Sequence, residues 1–82
     1  MADTTDVDAR LRKALGSEFE IAESLMSDDA DLVGTLGIDS LDMVDLAIVV
    51  QSEFGVKLSR EEMVKAKTLG DLKTLIASKL NG

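Results

Sequence analysis

The chain has 82 residues and a mass of 8.8 kDa, and nine Lys and Arg against sixteen Asp and Glu give it a formal charge of −7 and a pI near 4.3. That length is one domain, and that charge argues against a nucleic-acid partner, because gripping a phosphate backbone requires a basic face. With no Cys and no His, disulfides, Cys/His zinc sites, thiol nucleophiles and Ser-His catalysis are excluded together.

No apolar stretch approaches the length of a membrane span, and the N-terminus has neither the charged start nor the apolar run of a signal peptide, so a cytoplasmic protein is expected. Apolar residues make up 45% of the chain and aromatics 2%, with no proline. The core must therefore be aliphatic, and the periodicity predicts an all-α fold: a four-helix bundle of three longer helices and one short one, with a long loop between the first and second.

Residues 1–5 read as a flexible N-terminal tail. The first helix is expected over residues 6–15: Val7, Leu11, Ala14 and Leu15 share one face, Arg10, Arg12 and Lys13 take the solvent side, and Gly16 ends it. Residues 17–38 keep no helical period for long. They read as a loop pinned by Leu32, Val33 and Leu36, with room for a short helical turn over 22–26. The best helix starts at Asp39 or Ser40 and runs to Phe54, with Asp39 as N-cap, Asp42 adding a second carboxylate to the first turn and Gly55 closing it. A short helix over residues 59–65 opens with the capping box Ser59-x-x-Glu62. The last, over 68–80, opens with Thr68-x-x-Asp71, and Leu69, Leu72, Ile76 and Leu80 supply its apolar face.

Little in these elements suggests catalysis. A Ser nucleophile needs a base to take its proton, and no residue pairing marks one. The acidic loop starting at Asp29 resembles a calcium loop but has Val33 at its fifth position and Ser40 at its twelfth, where the bidentate Glu belongs; weak surface binding of divalent cations is the most it supports. What remains is Leu36-Gly37-Ile38-Asp39-Ser40-Leu41-Asp42, a glycine-containing loop that delivers one serine to the first turn of the best helix. Either Ser40 helps the cap, or, since Asp39 already serves, its hydroxyl sits where unpaired amides and the helix dipole would welcome an anion such as a phosphodiester.

At this motif the chain resembles the acyl carrier protein family. The likeness runs from DLVGTLGIDSLDMVDL through EFGVKLSREE to KTLGDLKTLIASKL, in the family's order of helices and long first loop. It implies that Ser40 receives 4′-phosphopantetheine from coenzyme A, that a phosphopantetheinyl transferase reads Asp39, Leu41 and Asp42, and that the protein is a non-catalytic carrier of acyl thioesters. A chain without cysteine can present a thiol only through such an arm. A peptidyl carrier is the nearest alternative, although such domains more often have Gly-Gly before the Asp or His of their motif where this chain has Gly37-Ile38-Asp39, and an unmodified acidic helical adaptor would share every periodicity.

Around the central helix, Met43, Leu46, Ala47, Val50 and Phe54 form the better core stripe, while Leu41, Val44 and Ile48 form a second stripe on the opposite side. That second stripe is either covered by the long loop or exposed for docking. The resemblance favours docking, with Asp39, Asp42, Asp45, Glu61 and Glu62 as an acidic border for basic surfaces on loading, ketosynthase, reductase, dehydratase or acyltransferase enzymes. It also implies an acyl-chain pocket, to which Met43, Leu46, Ala47, Val50, Leu58, Met63 and Ala66 are assigned, and a monomeric state. Unlike the best-known fatty-acid carriers, the helix ends with Val50, Gln51 and Ser52 before a single Glu53 rather than a run of glutamates. This leaves room for specialised lipid or polyketide synthesis beside fatty-acid synthesis.

Overall fold

Apolar spacing and caps resolve into four helices in the computed structural model, which describes residues 4–81. These are α1 (Thr4–Glu18), α2 (Ser40–Phe54), α3 (Arg60–Lys65) and α4 (Leu69–Asn81), with a 3-10 turn at Glu23–Leu25. Helices α1, α2 and α4 pack against one another, and α3 joins them through buried Met63. Val7, Leu11 and Leu15 of α1, Leu46 and Val50 of α2, and Leu69, Leu72 and Ile76 of α4 are all but inaccessible to solvent. None of the helices is long and apolar enough to cross a membrane, among the described residues.

The first helix is longer than expected at both ends. It begins at Thr4, so residues 4 and 5 belong to it, while residues 1–3 lie outside those described. It also runs through Gly16 to Glu18. The extra turn brings Phe19 and Ile21 against the core, and the left-handed residue that breaks the helix is Glu20 (φ 55°) rather than the glycine. Two of the three cations assigned to solvent are also engaged. Arg10 lies 4.7 Å above the Phe54 ring and bonds the Glu53 carboxylate and carbonyl, and Arg12 bonds the Asp8 carboxylate and the Met26 carbonyl.

The long loop is held by both side chains and backbone. Met26, Ala30, Leu32, Leu36 and Ile38 are buried, but Val33, expected to pin the loop, is 63% exposed. A tight turn explains it: Thr35 and Leu36 both donate to the Asp31 carbonyl, which sets Leu32 and Leu36 inward and leaves Val33 outside. Residues 28–32 are joined to the start of α4 by Leu32 N–H to Lys67 O (3.0 Å), Leu69 N–H to Ala30 O (3.0 Å) and Gly70 N–H to Asp28 O (2.9 Å). Gly70 eases that approach, because a Cβ on it would lie 3.0 Å from the Asp28 carbonyl oxygen and the backbone there would have to give slightly.

The remaining helix ends follow the sequence. Asp39 Oδ1 accepts from the amides of Leu41 (3.0 Å) and Asp42 (2.9 Å), and Asp42 Oδ2 accepts from the Asp39 amide. Gly55 closes α2 in the left-handed region (φ 72°). Reciprocal boxes open α3 through Ser59 and Glu62 and α4 through Thr68 and Asp71.

Candidate functional site

Ser40 is the first residue of α2, exposed, and its hydroxyl has no hydrogen-bond partner among the described residues. Asp39 and Asp42 make the cap between them, so the reading of Ser40 as a helper of the cap falls away. The same geometry corrects the anion-site reading: the amides of Leu41 and Asp42 are already taken by Asp39, and two carboxylates occupy the positive end of the dipole. A phosphodiester at Ser40 would be held by its covalent bond rather than by the helix end.

Beside Ser40 opens a groove of about 1040 Å³. Helix α2 lines one side with Leu41, Met43, Val44, Ala47 and Ile48, and the facing wall carries Leu58, Met63, Val64 and Ala66. Val33 and Gly34 of the long loop line it as well. Leu41, Val44 and Ile48 are 78%, 61% and 60% exposed, so the second stripe is not covered by the long loop.

Five of the seven residues assigned to an acyl pocket, Met43, Ala47, Leu58, Met63 and Ala66, do line this groove. Leu46 and Val50 do not. They point the other way and are fully buried in the bundle, since the 100° step per residue turns them towards α1 and α4.

The acidic border is uneven. Asp45 and Glu61 are exposed, whereas Asp39 and Asp42 are engaged in the cap and Glu62 is tied on two sides. Its carboxylate takes the Lys79 ammonium at 2.8 Å and the Ser59 amide at 2.9 Å, and these hydrogen bonds, Lys79's foremost, hold its pKa down at about 2. Glu62 is thus an ionised strut of the α3–α4 junction.

Sequence reasoning passed over Val33, Val64, Lys57, Arg60 and Lys67, all of which line the groove. One signal was available: four of the chain's nine Lys and Arg fall within residues 57–67, a concentration that ordinary solvation of a surface does not require.

An accessible, uncommitted primary hydroxyl beside an apolar groove fits a covalently attached arm, which needs a free oxygen for its linkage and space to lie in. Residues 9–76 match the family described as phosphopantetheine attachment site. The chain is 35% identical over 80 residues to the acyl carrier protein of Thermotoga maritima, covering 98% of this chain and 99% of that one. It is 37% identical over 70 residues, 85% of each chain, to the acyl carrier protein of Coprothermobacter proteolyticus. Fold, exposed serine and these likenesses agree: the chain belongs to the acyl carrier protein family.

Proposed function

We propose that this protein carries acyl groups on a 4′-phosphopantetheine arm linked to Ser40 Oγ, moving them among separate cytoplasmic enzymes of fatty-acid, specialised-lipid or polyketide synthesis. The observation that carries this reading is Ser40 itself, exposed, lining the groove and with a hydroxyl that has no hydrogen-bond partner among the described residues. When attached, the arm supplies the thiol that a chain without cysteine lacks, and with it a thioester linkage that keeps the acyl carbonyl activated.

Attachment forms a bond from Ser40 Oγ to the pantetheine-bearing phosphorus of coenzyme A and breaks that phosphorus's bond to the bridging oxygen, releasing adenosine 3′,5′-bisphosphate. The hydroxyl must lose a proton, and no base touches it among the described residues. That base therefore comes from a transferase. Incubation with coenzyme A, magnesium and a broad-specificity phosphopantetheinyl transferase adds one arm to the wild type and none to Ser40→Ala, read by intact mass. An arm on the Ala variant, or none on the wild type with several such transferases, refutes the assignment and leaves an unmodified adaptor.

The exposed strip of Leu41, Val44 and Ile48 beside Asp42 and Asp45 supports docking of partners whose site mouths carry Lys or Arg. Charges at a rim chiefly steer encounter, and salt screens them over about 8 Å at physiological ionic strength. Asp45→Lys, which leaves the cap intact, should lower the association rate severalfold at low salt and little at high salt. Val44→Ala should instead raise the dissociation rate with little salt dependence. Stopped-flow kinetics with the transferase distinguish the two, and equal behaviour of both variants would dismiss this division of roles.

A further inference from the structure

The wall of the groove that faces α2 is basic. Lys57 precedes α3, Arg60 opens it and Lys67 follows it, and all three line the groove that starts at Ser40. None is in an ion pair among the described residues, a state they share with Lys13 and Lys65, whereas Arg10, Arg12, Lys73 and Lys79 are paired; these three differ in lining one groove. Two carboxylates line the same groove. Asp39 is committed to the α2 cap, and Asp31, like Asp39, pairs with none of the three cations.

A plain hydrocarbon chain has use for the floor of this groove, Met43, Ala47, Leu58 and Met63, but none for its cations, and the arm's phosphodiester at Ser40 brings one negative charge against three positive ones. Lys and Arg at such an edge lay their stems along apolar surface and keep their charged heads in water. Those heads are available to an anion that arrives along the floor. We propose that the groove selects acyl cargo bearing an anion at its far end, a carboxylate being the simplest, held by Lys57, Arg60 and Lys67. The inference rests on Ser40 carrying the cargo.

Attachment also decides between cargo and an acidic partner as the source of that anion. A free acidic partner approaches against a net charge of −7, and each exposed contact contributes little by itself. A group tethered at Ser40 is already present at an effective concentration on the order of millimolar, the range for a short flexible linker. Weak contacts then suffice.

The test loads the apo protein from two acyl-coenzyme A derivatives of equal length, one ending in a methyl group and one in a ¹³C-labelled carboxylate. Intact mass reports loading at Ser40. If no arm is accepted, the carrier reading itself has failed and this inference falls with it. In the loaded protein the carboxylate should titrate about half a pH unit or more below the same acyl group on free pantetheine, a roughly threefold change in its proton affinity. Amide resonances of Lys57, Arg60 and Lys67 should move with the carboxylated chain and not with the methyl-ended one. Combining Lys57→Gln, Arg60→Gln and Lys67→Gln, which keeps the stems, should return the midpoint to the free value or above it. The chain's net negative charge makes the sign decisive: a carboxylate left in solvent would titrate at or above its free value, and that result overturns the proposal. So does a set of Gln variants that weakens binding of a partner enzyme while the carboxylate's titration stays put, because the cations would then serve an acidic partner.

Discussion

Leu46→Ala should lower the free energy of unfolding by about 2–5 kcal/mol, whereas Ile48→Ala, two residues further along the same helix, should change it by less than about 0.5 kcal/mol. Both substitutions shorten an aliphatic side chain on α2. The difference lies in what surrounds each one: Leu46 has no accessible surface, on a helix packed against α1 and α4, and its truncation leaves a cavity in the core. Ile48 is 60% exposed on the groove side. Its truncation removes little buried area, and the lost helix propensity is offset because Ala is the better helix former. Urea unfolding with an unchanged slope reads both values. Equal losses of several kcal/mol would mean that the second stripe is packed, and would remove the docking surface.

Lys73→Met should destabilise the fold by about 1–3 kcal/mol, below the range for breaking a fully buried ion pair because one partner is open to water. The Lys73 side chain is 11% exposed, and its ammonium lies 2.6 Å from Asp28 Oδ1 and 3.1 Å from Asp8 Oδ1, with Asp28 59% exposed. Arg12 closes the cluster through Asp8 at 2.7 Å and Asp28 at 3.6 Å. Methionine preserves the packing of the stem, so the loss reports on the charge.

The same cluster sets a pH signature. Burial pushes the Asp8 carboxyl up, but hydrogen bonds from Arg12 and Lys73 and their positive charges outweigh it, so its pKa lies below the ordinary value. The stability it contributes is complete above the unfolded carboxylate's pKa of about 3.9 and is lost as pH falls through the lower folded value. For Lys73 the hydrogen bond to Asp28 raises the pKa and, with Asp8's help, prevails over desolvation. Its contribution is complete below about pH 10.4, the unfolded value, and is lost as pH rises through the higher folded one. Wild-type stability should therefore have a plateau with both an acid and an alkaline limb, and Lys73→Met should lose the alkaline limb and soften the acid one. Urea midpoints from acid to alkaline pH test this; a variant as stable as the wild type with the same limbs would show that the cluster contributes nothing.

The helix starts at Asp39, Ser59 and Thr68 were legible because capping is local: the side chain that satisfies the orphan amides lies within three residues of them. Ser40 stood out in a short local motif, Leu36 to Asp42, but its spacing left its role open and only the family resemblance gave it one. The end of α1 was not legible, because Gly16 permits a helix to stop without compelling it, and the packing of Phe19 and Ile21 against distant residues decided the matter. Lys73 escaped as well. A lysine beside Leu69, Leu72 and Ile76 reads as a solvated edge until Asp8 and Asp28, 65 and 45 residues away, are seen to close over it. The basic wall of the groove is non-local in the same sense, since only the fold sets Lys57, Arg60 and Lys67 across from α2.

The three hydrogen bonds between residues 28–32 and the start of α4 act as a clasp, closing a ring of about forty residues that contains both α2 and α3. Ring closure costs entropy that grows only slowly with length, so a single clasp at the base suffices to keep the two helices opposed. The jaws need not adhere to each other to stay aligned. With one jaw rooted in the bundle through Leu46 and Val50 and the other, the six-residue α3, seated on Met63 and tied to α4 by the Glu62–Lys79 pair, the clasp fixes where the two walls of the groove stand relative to each other.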